Sequence, residues 1–218
     1  MKKFYLDVGL LAMLIAVMNF HFLPKVLHEV LGLAMFFAVA VHFYWNVGAL
    51  RSLPKIFLII DVMLLVAICT VVATGACISN HIFNGLVDMK IQRNITIHQL
   101  HVSIPFVTMI LIGLHLGRNW MGFYQRLKKV VGVEIPALAE KIIVGVSVGV
   151  GIVGLYLDQL PDRLLMKHIF GTAATQLPSG GYILIMIGMT ALFTAIGFFV
   201  DRLIKSFDVS KKRDTISS

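Results

Sequence analysis

The feature that most limits what this chain can become is a succession of apolar runs broken by short charged segments. A run of about 20 apolar residues crosses a hydrocarbon core of about 30 Å as a helix. Lipid offers no partner to backbone N–H and C=O groups, so such runs take the form that pairs those groups internally. Six spans are read, at residues 4–22, 26–50, 56–77, 95–117, 142–157 and 182–200. The fold class that follows is an all-α integral membrane protein. Only 14% of residues are charged and 58% are hydrophobic, where a soluble domain carries about 25% charged residues. The net charge of +8 lies between the spans. That is the pattern of a membrane protein in a lipid bilayer, and no nucleic-acid partner is expected.

The first span follows Lys2 and Lys3 as a signal peptide would, but it contains Asn19 and His21 and ends at Leu23-Pro24 without a small-residue cleavage site. It reads as an uncleaved helix. The fifth span is short and Gly-rich, and its Gly145 and Gly149 suit close helix packing in lipid. Of the 19 Lys and Arg residues, only Lys25, Lys90, Arg93, Arg163 and Lys167 fall on one side of the spans. The positive-inside rule then puts both termini in the cytoplasm of a multi-pass protein of the bacterial inner membrane. Arg51, Arg118 and Arg93 are explained by that bias, although each also sits where it could pair with a cofactor's acidic group. Asp7 and Asp61 read as interfacial residues that need no role. Cys69 and Cys77 form no CxxC or CxxCH motif, which excludes covalent c-type haem and an iron–sulfur or zinc framework; they read as buried free thiols. The connections on the outer side are too short for a soluble catalytic domain. An interfacial helix is expected near residues 163–170, and the tail from Lys205 is expected to fray.

The histidines carry the chemistry. His28 and His42 lie on the second span and His101 and His115 on the fourth, each pair 14 residues apart. Fourteen residues rise about 21 Å and return to within about 40° of the same face. A slight left-handed supercoil closes that difference. The two spans run in the same direction, so facing them pairs His28 with His101 near the outer surface and His42 with His115 near the inner one. Each pair can supply two axial nitrogens to one haem b, giving two haems stacked along the membrane normal. Imidazole suits iron, and ionisable groups inside a span are costly enough to mark function. Both segments fit H-x13-H-x3-N, ending at Asn46 and Asn119. These asparagines either bond a haem propionate or a neighbouring group, or end their helices. His98 lies one turn before His101 and is the competing outer ligand; its 17-residue distance from His115 puts it about 100° off that face. His98 and His21 are also candidates to stand beside a quinol or flavin, while His81 and His168 read as loop histidines. Gly32, four residues after His28, would let a porphyrin approach the backbone. Pro105, at the matching position, would free the His101 carbonyl and kink the helix.

The stretch HEVLGLAMFFAVAVHFYWN, followed by a span and then HVSIPFVTMILIGLHLGRNW, resembles the flavinylation-associated cytochromes of bacteria. The resemblance covers about residues 4–120 and implies a four-helix, cytochrome b-like bundle with two b-type haems, linked to flavinylated extracytosolic partner proteins. It implies His28, His42, His101 and His115 as the ligands. The domains expected are a di-haem core over 1–120, a two-helix membrane extension over 121–204 and a polar cytoplasmic tail over 205–218. The function expected is transfer of electrons across the membrane, from a cytoplasmic-side or quinol donor to an extracytosolic acceptor such as a flavin domain. Two alternatives stay open: a quinol-oxidising oxidoreductase subunit, and a haem-free transition-metal transporter whose histidine pairs bind the ion directly.

Overall fold

The computed structural model describes residues 1–132, 136–167 and 171–217; the side chains of residues 51, 52 and 208–217 are outside that description. Helices α1 (Lys2–Met18), α2 (Lys25–Asn46), α3 (Lys55–Ile78), α4 (Met89–Gln92), α5 (Ile95–Val131), α6 (Ala137–Leu157), α7 (Leu160–Leu164) and α8 (Ser179–Ser217) follow in order, and no strand occurs among the described residues. Local chemistry sets their ends. Pro24, Pro54 and Pro136 stand directly before α2, α3 and α6, where a missing N–H costs nothing. The Asn94 side chain accepts from the Thr96 and Ile97 N–H groups and caps α5. Gly132, at φ 68°, ends α5 with its N–H on the Lys128 carbonyl, the left-handed stop that favours glycine.

Among the described residues five helices are long and apolar enough to cross a bilayer, over Lys25–Leu50, Lys55–Ile78, Ile95–Val131, Ala137–Leu157 and Ser179–Phe207. The first expected span is shorter than the sequence suggested. Its α-helix has 17 residues, about 25 Å at about 1.5 Å per residue. The helix breaks at Asn19, and residues Phe20–Phe22 form a 3₁₀ turn. Helix α1 still lies antiparallel along α2: Lys3 donates to the Trp45 carbonyl at 2.7 Å, and the Phe20 ring meets His28 at the other end. Two further differences concern the last helices. Helix α5 passes through residue 120 without a break, so the boundary expected there falls inside one helix. The tail expected to fray from Lys205 continues as helix to Ser217.

Helix α5 is the hub. It packs against α3 on one side and α8 on the other, and α8 packs in turn on α6. Glycines permit the close approaches. A Cβ on Gly117 would strike the Thr194 carbonyl and the backbone of Gly197 and Phe198, and one on Gly151 would strike the Gly188 carbonyl. Gly145 and Gly149, expected to make this contact, have nothing near them; the α6–α8 contact uses Gly151 and Gly154 instead. The core joins Leu14, Met18, Met35, Phe106, Met109, Met186 and Met189.

The bundle has an N-terminal end, near Lys3, Asn46 and Arg126, and an opposite end closed by the segments between α3 and α5 and between α6 and α8. At the opposite end Arg163 is buried, 2% exposed, with its guanidinium 2.9 Å from Asp158 and over the Phe106 ring. Thr172 donates to the same carboxylate oxygen. In the sequence Arg163 reads only as a loop cation. The interfacial helix expected there is reduced to α7, with residues 168–170 outside the described residues.

Two outcomes follow. Gly151→Leu should cost about 1–3 kcal/mol or more by forcing α6 from α8, while Gly149→Leu should stay within about 0.5 kcal/mol; thermal melts of the two in detergent make the comparison. Arg163→Ala strands a buried carboxylate and should cost about 3–5 kcal/mol. Lys167→Ala, which removes the exposed ion pair with Asp162, should cost no more than about 1 kcal/mol on the same scale.

Candidate functional site

Helices α2 and α5 run in the same direction and do not pack closely on each other; α1 and α3 stand between and beside them. Histidines bridge the gap at two depths. The His28 and His101 ring centroids are 6.2 Å apart with planes at 89°. The His42 and His115 centroids are also 6.2 Å apart, with planes at 70°. Two imidazoles on opposite sides of one first-row metal, each bonded at about 2 Å, put their centroids roughly 6 Å apart. The H-x13-H spacing therefore does in three dimensions what helical geometry requires, and both separations suit an atom held between the rings.

The hydrogen bonds of these rings run through Nδ1. His42 donates to Asp7 at 2.9 Å and His115 donates to Asp61 at 2.7 Å. His101 donates to the Val71 carbonyl at 3.1 Å, with the Thr74 hydroxyl 3.3 Å away. The buried His28 Nδ1 makes no hydrogen bond of full geometry and faces the backbone carbonyl of Val17 on α1. An acceptor on Nδ1 fixes the tautomer and the ring orientation and leaves Nε2 as the coordinating nitrogen, the usual arrangement around a ligating histidine. Each aspartate also faces an arginine: Arg126 lies 3.6 Å from Asp7, and Arg118 lies 3.5 Å from Asp61.

Asp7, Asp61 and Arg118 thus differ from their sequence reading. The aspartates are not idle interfacial groups, and Arg118 is folded against Asp61 and the Phe57 ring rather than serving only as a topological charge. A signal for the aspartates was present. Asp7-Val8-Gly9-Leu10-Leu11 and Asp61-Val62-Met63-Leu64-Leu65 share the pattern D-V-x-L-L, each on the helix preceding a histidine helix. The internal repeat extends from single helices to the hairpins α1–α2 and α3–α5. Gly75 is a second missed residue. A Cβ there would lie 2.8 Å from His101 Cε1, so only glycine leaves room for that ring.

The remaining candidates separate cleanly. Gly32 has open space where a side chain would stand. It lines an apolar cavity of about 210 Å³ together with His28, His101, Pro105, Gly75 and Phe83. Helix α5 runs through Pro105 unbroken. His98 is turned away from this cavity, its Nε2 3.0 Å from the Gln92 carbonyl of the preceding loop. His21 is exposed, its ring tilted at 36° against Phe20 and edge-on to Tyr182. His81 is an exposed loop residue, and His168 lies outside the described residues. Asn46 and Asn119 each donate to the carbonyl of the histidine one turn earlier, at 2.8 and 2.9 Å. Asn46 also ends its helix, whereas α5 continues past Asn119, whose amide is 3.4 Å from His115 Nε2. Arg51 has no described side chain. Cys69 and Cys77 are free, and Cys69 is exposed on α3 rather than buried.

Among the described residues no group of three or more His, Cys, Asp or Glu side chains is placed to hold a metal ion. Each histidine pair is a two-ligand site. A bare zinc ion takes three or four protein ligands, whereas a porphyrin brings four nitrogens of its own and needs one or two axial ones. The His28 and His101 rings and the open backbone at Gly32 line an apolar cavity enclosed by α1, α2, α3 and α5, a lining compatible with an apolar, ring-ligated cofactor. No family model, curated protein or solved structure matches the chain.

Proposed function

We propose that this chain is a b-type membrane cytochrome that holds two haems, one between His28 and His101 and one between His42 and His115, and passes electrons across the bilayer. What carries the reading is the pair of equal imidazole gaps at two depths on co-directional helices. Haem b, which His28 with His101 and His42 with His115 would hold, would supply one-electron exchange.

The protein's own residues do the rest. His28, His42, His101 and His115 would ligate through Nε2. Asp7, Asp61 and the Val71 carbonyl hold three of the four rings in orientation. Gly32 and Gly75 supply room for the cofactor and for the His101 ring respectively. The excess of Lys and Arg at the N-terminal end supports a cytoplasmic position for that end in a bacterial inner membrane. The donor is then a cytoplasmic-side carrier or a quinol. The acceptor is an extracytosolic redox partner, a flavinylated protein in the family this sequence resembles. The transition-metal transporter is the weaker reading, because each histidine pair lacks the further ligands a bare ion takes.

The test is haem content by pyridine haemochrome with the reduced α-band, on wild type and single variants. His28→Ala and His101→Ala should each lose one haem of two, and His42→Ala and His115→Ala the other. Gly75→Val should mimic His101→Ala by displacing that ring. If His98→Ala removes a haem while His101→Ala does not, the outer ligand is misassigned. A colourless wild type that retains zinc or copper would establish the transporter instead.

A further inference from the structure

The two imidazole pairs differ in what holds them. At the N-terminal end both histidines give Nδ1–H to carboxylates, Asp7 and Asp61. At the opposite end only backbone carbonyls face the rings, Val71 bonded to His101 and Val17 facing His28 without a hydrogen bond of full geometry. A carboxylate acceptor makes the coordinating nitrogen more basic than a carbonyl does. A more basic ligand and a nearby negative charge both favour the oxidised, more positive state of a bound iron, and hydrogen bonding to the ligands is one of the levers that set its potential. The guanidiniums oppose this. Arg118 is 12% exposed against Asp61, while Arg126 is 52% exposed against Asp7 and is screened by solvent.

We infer that Asp7 and Asp61 are positioning residues that hold the His42–His115 site at a lower reduction potential than the His28–His101 site, with Arg118 and Arg126 trimming the difference. The inference rests on the haem reading above. An electron supplied at the N-terminal end then moves downhill toward the opposite end, which gives the chain a preferred direction.

The experiment is a redox titration of the purified full chain, followed in the visible spectrum after haem has been counted. Wild type should titrate as two components. Asp61→Asn and Asp7→Asn should each move the lower component to more positive potential and leave the upper one in place. Arg118→Gln should move the lower component the other way, and loosened packing does not produce opposite signs. The same titration on His28→Ala, which keeps only the N-terminal site, assigns the component and should show the lower one. Asn variants that retain two haems with an unmoved lower component would overturn the inference, as would assignment of the upper component to the N-terminal site. If the Asn variants lose haem, Arg118→Gln decides: a negative shift supports the inference and an unmoved potential overturns it. Two haems at a single potential would end the inference alone, whereas a wild type without haem would end the reading beneath it.

Discussion

A hydrocarbon layer has no hydrogen-bonding partner to offer, so a polar ring inside it must be held by the protein or by something the protein binds. Four imidazoles stand within the long apolar helices α2 and α5, and the bundle is arranged around satisfying them. Three have an Nδ1 acceptor drawn from a neighbouring helix: Asp7 from α1, Asp61 from α3 and the Val71 carbonyl from α3. These bonds tie each histidine helix to the helix before it in sequence. They leave the second nitrogen of these three rings for another partner, the Asn119 amide lying 3.4 Å from that of His115.

The gap between α2 and α5 is the reason for much of the remaining architecture. Two helices kept apart need support from outside, and α8 supplies it for α5 through the glycine contacts at Gly113, Gly117 and Gly197. Helix α6 then braces α8 through Gly151 and Gly188. The extra helix pair is therefore continuous with the core rather than appended to it. At the end away from the N-terminus, the Asp158–Arg163–Thr172 cluster seals the connection between α6 and α8. The Glu29 carboxylate accepts from Ser79, Asn80 and Ile82 and pins the segment after α3 over the start of α2. The rim beside the His28–His101 pair is fixed by that carboxylate.

The histidine pairing was legible because helical period and residue spacing alone determine it: 14 residues return a side chain to nearly the same face, and co-directional helices repeat the match at both depths. The preference for His101 over His98 follows from the same period; in the structure His101 faces His28, and His98 lies 3.0 Å from the Gln92 carbonyl. The aspartates were not legible from their own positions. A carboxylate near the end of a span costs little and reads as interfacial, and only the repeated D-V-x-L-L pattern marks Asp7 and Asp61 as equivalent. Which glycines make helix contacts was misread as well, because Gly145 and Gly149 have the favoured spacing but face away from α8, and rotation about the helix axis is set by partners the sequence does not show. Arg163 reads as a loop charge in the sequence because its burial depends on Asp158 at the end of α6 and Phe106 on α5.

The central claim is that the two imidazole gaps hold porphyrin iron, and the haem-to-protein ratio of the purified full-length chain tests it most directly. The account predicts a red protein with a Soret band and two b-type haems per chain by pyridine haemochrome. Pure, folded material without absorption in the Soret region, even when haem is supplied during expression, would contradict it.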